Sequence, residues 1–135
     1  MIFVVSKTGV WDVAAGQIST PELTMRGVQA PQAIKLTCQF FARTLSDNLN
    51  DGFEYTLEGN DDLPVASLTP NVGLVQGSDS WQLYTHTVLF EVLSTGAQPE
   101  PLDISFNIII AKQGMSGSGA MMNYTMLAEM VAIQS

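Results

Sequence analysis

Apolar residues recur along much of this chain at every second position. Residues 34–43 show it best: Ile34, Leu36, Cys38, Phe40 and Ala42 alternate with Lys35, Thr37, Gln39, Phe41 and Arg43. Successive side chains of a strand point to opposite faces, so one row belongs in a core and the other mostly in water. Residues 81–93 alternate in the same way, with Tyr84, His86, Val88, Phe90 and Val92 on one parity. In residues 103–112, Ile104, Phe106, Ile108 and Ile110 share a face and Ile109 takes the other. Shorter β-branched or aromatic runs lie at 2–6 and 53–57. Pieces at 9–13, 17–19, 65–68 and 72–75 read as edge strands or loops. Pro21, Pro31, Pro64, Pro70, Gly77, Pro99 and Pro101 punctuate these runs. About eight strands with such turns predict one all-β domain over residues 1–135, an antiparallel β-sandwich or a barrel. Residues 34–43, 81–93 and 103–112 are its expected central strands.

Two segments read both ways. Phe41, Leu45 and Leu49 fall at helical spacing, which allows a short helix after the 34–43 strand. Residues 120–133 are rich in Met, Ala and Leu, which favour helix. Yet Tyr124, Met126, Ala128, Met130 and Ala132 also share a strand parity, with Leu127, Val131 and Ile133 on the other. A strand with both faces covered is the preferred reading.

Composition sharpens the picture. Hydrophobic residues make up 46% of the 135 and charged residues 13%, about half the usual ~25% charge. So little charge leaves apolar surface that another chain would cover. Net charge is −8, and no Lys or Arg occurs between Arg43 and Lys112. Clustered Lys and Arg are needed to neutralise phosphate, so nucleic acid and anionic membrane are disfavoured as partners. No run approaches the ~20 apolar residues of a membrane-spanning helix.

Candidate chemistry is sparse. Cys38 is the single cysteine and His86 the single histidine, which excludes an intrachain disulfide and a zinc site built from several such ligands. A Cys–His pair needs adjacency that sequence does not show, so Cys38 reads as a small core hydrophobe and His86 as one strand residue among many. Residues 47–58 imitate a calcium loop at Asp51, Gly52 and Glu58, but Leu49 stands where an oxygen ligand is required. The chain is read as no enzyme, with no catalytic residue, cofactor or metal. Gly114 to Gly119 form a flexible loop flanked by Met115, Met121 and Met122, unbranched side chains that adapt to a partner. These methionines, with Tyr124, Leu127, Val131 and Ile133 of the two-faced terminal segment, are the expected interface.

About eight strands over nearly the whole chain, low charge, one cysteine and a two-faced terminal segment together resemble the small jelly-roll decoration or cement proteins of tailed bacteriophage capsids. The resemblance implies a homo-oligomeric sandwich that braces shell subunits on the virion exterior. The major capsid protein or another virion protein would be its partner, after synthesis in the host cytoplasm. It transfers no catalytic residues. Two other readings stand beside it. One is a phage tail or fibre component. The other is a soluble carbohydrate-binding sandwich in which Trp11, Trp81, Tyr55 and Tyr84 stack on sugars.

Overall fold

The computed structural model describes residues 4–12, 20–29, 31–43, 53–59, 65–76, 78, 80–93, 101–113 and 121–131. These residues form nine strands: β1 (Val4–Asp12), β2 (Leu23–Val28), β3 (Gln32–Arg43), β4 (Phe53–Glu58), β5 (Val65–Ser67), β6 (Val72–Val75), β7 (Gln82–Val92), β8 (Leu102–Gln113) and β9 (Met121–Val131). They make a five-stranded sheet in the order β1-β9-β3-β7-β5 and a four-stranded sheet in the order β2-β8-β4-β6. Every pairing is antiparallel. With β5 set aside, the chain changes sheet at each step except from β4 to β6, and the first strand pairs with the last. That connectivity is a jelly roll. Among the described residues no helix is long and apolar enough to cross a membrane.

The core lies between the sheets. Ile34, Leu36, Cys38, Phe40 and Ala42 of β3 are all at most 1% exposed. Val88, Phe90 and Val92 of β7 join them, and Leu57, Ile104, Phe106 and Ile108 face them from the other sheet. Phe40 meets Tyr55 edge-on at 5.2 Å, and Phe90 meets Phe106 at 5.1 Å, so aromatic rings bridge the two layers. Each such side chain contributes about 1.5–3 kcal/mol by leaving water. Thr20 is the one buried polar residue among those described; its Oγ1 accepts from the Ile108 N–H at 2.9 Å and its own N–H donates to the Ile108 carbonyl.

The three expected central strands are central: β3 lies between β9 and β7, β7 between β3 and β5, and β8 between β2 and β4. Several expectations change in detail. Of the pieces at 2–6 and 9–13, the described residues 4–6 and 9–12 belong to one strand, β1, which runs through Gly9 with the Tyr124 ring of β9 lying against it. A Cβ there would stand 2.9 Å from the Tyr124 hydroxyl. Phe41 continues β3 and does not begin a helix; residues 44–50 lie outside the described residues. β2 escaped the sequence reading. Leu23 and Met25 alternate correctly, but the register then shifts before Val28, where Gly27 takes a φ of 71°. The 17–19 piece lies outside the described residues. The terminal segment is strand over Met121–Val131, paired on both sides by β1 and β3.

Candidate functional site

Three places concentrate unusual side chains. The first is polar and lies between the sheets at their β6–β7 side. Cys38 and His86 are cross-strand partners, so the fold supplies the adjacency that sequence could not show. Chemistry does not follow from it. Burial pushes the Cys38 thiol up from 9.0 to about 12, so it stays protonated and a poor nucleophile. His86 Nε2 lies 2.8 Å from the Pro70 carbonyl, which can only accept, so this nitrogen carries the proton. In the neutral ring Nδ1 then accepts from the Tyr55 hydroxyl at 3.0 Å. Burial raises Tyr55 from 10.0 to about 12, with smaller contributions from Cys38 and Tyr84. Tyr84 stacks on Phe40 at 5.3 Å and accepts the Gln76 N–H at 3.3 Å. The cluster therefore fastens the segment between β5 and β6 to β7.

The second place is the outer face of the five-stranded sheet. Its rows follow from the register. Thr8, Thr125, Gln39 and Thr85 form one row, and Ser6, Leu127, Thr37 and Thr87 the next. Lys35 and Glu129 pair at 3.7 Å on this face. At one end Phe41 and Leu83 stand opposite each other, 47% and 56% exposed, with Trp81 at 45% just beyond β7. Large apolar side chains at that exposure, at one end of a face whose charges among the described residues are Lys35, Arg43, Glu91 and Glu129, form a patch that water disfavours. The chain segments on either side of 44–52 and of 114–120 also leave from this end, because β3 finishes and β9 begins there. The third place is the edge strand β6, where Val72 and Leu74 are 52% and 56% exposed.

The expected interface residues separate. Tyr124 is 3% exposed and belongs to the core, so it is withdrawn as a contact residue. Its parity is the inward one, shared with Met126 and Ala128. Leu127 and Val131 are half-buried on the outward row, opposite Thr37 and Ala33. Met121 and Met122 open β9, opposite Arg43 and Ala42. Met115 and Ile133 lie outside the described residues. Of the aromatic residues suggested for sugar stacking, Tyr55 is in the core and Tyr84 is half-buried against Phe40, while Trp81 is exposed. Phe41 and Leu83 were missed. Their outward parity was legible, but their pairing across β3 and β7 was not. The calcium-like run separates as well: Glu54 and Glu58 lie on β4, and Asp47 and Asp51 fall outside the described residues. Among the described residues no group of three or more potential ligands could hold a metal.

No family model matches the sequence, and no curated protein does. Solved structures match its fold. The tripod (BppUct-A-L) from the baseplate of bacteriophage Tuc2009 is similar with a TM-score of 0.52 at 12% identity, over 98% of this chain and 64% of that chain. This chain thus spans under two thirds of the chain it matches. The CBM36-1 domain of a multidomain xylanase from the hindgut metagenome of Trinervitermes trinervoides is similar at TM-score 0.44 and 12% identity, over 100% of both chains. The C-terminal CBM6 of LamC, a marine laminarinase from Zobellia galactanivorans, is similar at 0.38 and 12%, over 78% of this chain and 70% of that one. What these likenesses share with the chain is the β-sandwich fold.

Proposed function

We propose that the chain is a structural component of a virus particle and works through protein–protein contact. The observation that carries this reading is the set of exposed apolar residues Phe41, Leu83 and Trp81 at one end of the outer face of the five-stranded sheet. A standard interface buries ~800 Å² per partner with an apolar centre and a polar rim. The threonine-rich rows beside the cluster, with Gln39 and Ser6, supply such a rim. The fold shared with a phage baseplate tripod supports a phage setting, and supports a tail-side place over decoration of the capsid. The partner is then another virion protein, and the chain resides in the particle. Capsid cementing makes the same demand on this face.

The test is incorporation. Particles purified from the native source are analysed for the chain by mass spectrometry, and located by antibody labelling in electron micrographs. Label at the tail supports the tail-side place; label over the shell returns the decoration role. Replacing Phe41 and Leu83 together by Ser should abolish incorporation and leave the melting temperature within a few degrees, since both side chains are already half in water. Absence of the wild-type chain from particles overturns the reading.

A further inference from the structure

We propose that β6 is an assembly edge at which the chain pairs with a second copy of itself across a two-fold axis at Gly73. This deepens the virion reading by naming one partner and the contact it makes.

Four strands end the two sheets: β1 and β5 in one, β2 and β6 in the other. An open strand edge invites pairing, and proteins blunt it with charge, bulges or brevity. β1 carries Lys7, half-buried in the row of Val5. β2 carries Arg26 and breaks its register before Val28. β5 is three residues long. β6 is four residues long, and among the described residues it carries neither charge nor bulge. Residues 71–76 are uncharged. The ladder to β4 runs unbroken from Phe53–Val75 to Thr56–Val72.

The hydrogen-bond pattern decides which groups stand at the edge. The Leu57 N–H donates to the Asn71 carbonyl at 2.8 Å. Bonded pairs alternate along an antiparallel ladder, so Gly73 and Val75 also bond towards β4. Val72, Leu74 and Gln76 turn their main-chain groups the other way. Gln76 is engaged there, since its N–H donates to the Tyr84 hydroxyl. At the opposite end Pro70 has no N–H, and its carbonyl accepts from His86. Residues 72–74 are thus an open stretch bounded by two side-chain hydrogen bonds.

That stretch is self-complementary in one register. A two-fold axis at Val72 would set Leu74 against Pro70, which cannot donate. An axis at Leu74 would set Val72 against Gln76, whose N–H is engaged. An axis at Gly73 sets Val72 against Leu74 in both directions, making four main-chain hydrogen bonds and covering both aliphatic side chains. Gly73 places no side chain at the axis. The acids do not oppose this arrangement. Glu54 and Glu58 on β4 would stand three strand spacings, ~14 Å, from the copy's β4, against a screening length of ~8 Å at physiological salt.

The test is sedimentation of the full chain as its concentration rises from about 10 μM to about 1 mM, a range suited to so small a contact. The expected result is a dimer that grows with concentration. Leu74→Lys, exposed enough to fold normally as checked by circular dichroism and melting, should remain a monomer throughout. Val72→Cys and Leu74→Cys variants should be linked by a short thiol cross-linker more readily when mixed than when either is alone. A monomer at every concentration, a dimer indifferent to Leu74→Lys, or equal cross-linking in all three samples would overturn the proposal. A monomer that still copurifies with particles sinks this pairing and leaves the virion reading standing. A dimer absent from particles does the reverse.

Discussion

Two single residues carry sharp consequences. Cys38 titrates near 9.0 when exposed and near 12 in the fold, because burial disfavours the thiolate. The folded chain therefore holds the proton more tightly than the unfolded one. The stability tied to this proton is complete below pH 9 and falls as pH rises towards 12. Tyr55 adds to the fall between 10 and 12 for the same reason. Urea midpoints should thus decline steeply above pH 9, with about 4 kcal/mol at stake for the thiol at ~1.4 kcal/mol per pH unit. Cys38→Ala should cost about 1–2 kcal/mol at pH 7 and make the alkaline decline shallower and later. A decline of unchanged slope would refute the assignment. Gly73 is the second such residue. A Cβ there would fall on the Tyr55 hydroxyl, so Gly73→Ala must displace the ring that holds His86. A loss of about 2–4 kcal/mol is expected in chemical denaturation.

At the level of elements, β9 is the informative case, since its composition suits a helix and its parity suits a strand. Tyr124, Met126 and Ala128 face the core; Asn123 and Thr125 face water. What decides for the strand is pairing, because β9 bonds to β1 on one side and β3 on the other, which no local propensity can outweigh. Alanine substitutions should therefore alternate in cost. Met126→Ala should lose about 2–4 kcal/mol as a fully buried side chain, and Thr125→Ala under about 0.5 kcal/mol. A cost that recurs every third or fourth residue would contradict the strand. The Lys35–Glu129 pair beside it is partly exposed at 3.7 Å; removing it should change stability by less than about 1 kcal/mol.

Across the whole molecule, low charge and acidic balance set solution behaviour. Eight net negative charges give a general repulsion that opposes unspecific clustering at neutral pH. As pH falls towards the isoelectric point near 4.2, that repulsion vanishes while the exposed Phe41, Leu83, Val72 and Leu74 remain. Solubility should pass through a minimum close to pH 4, measured as protein left in the supernatant across a pH series. The Phe41→Ser, Leu83→Ser double variant should raise that minimum. A minimum that ignores the double variant would mean that the cluster is not adhesive.

The chain's own residue order determined the fold class and most of the core. Alternation in residues 34–43, 81–93 and 103–112 marked the central strands, because a pleated strand sorts side chains by parity whatever its neighbours are. The short edge strands β5 and β6 were visible as fragments between prolines. Tertiary structure decided what depends on a second strand. It joined the two halves of β1 through Gly9, because the space that glycine leaves is filled by Tyr124, 115 positions away in sequence. It hid β2, whose shifted register breaks the alternation by which a strand is recognised. It moved Tyr124 from an expected interface into the core, and brought Phe41 against Leu83 and Cys38 against His86. Parity is a local property of the backbone and is written in the sequence. Which face meets which, and which edge stays open, follows from strand order, and strand order arises from contacts between residues far apart along the chain.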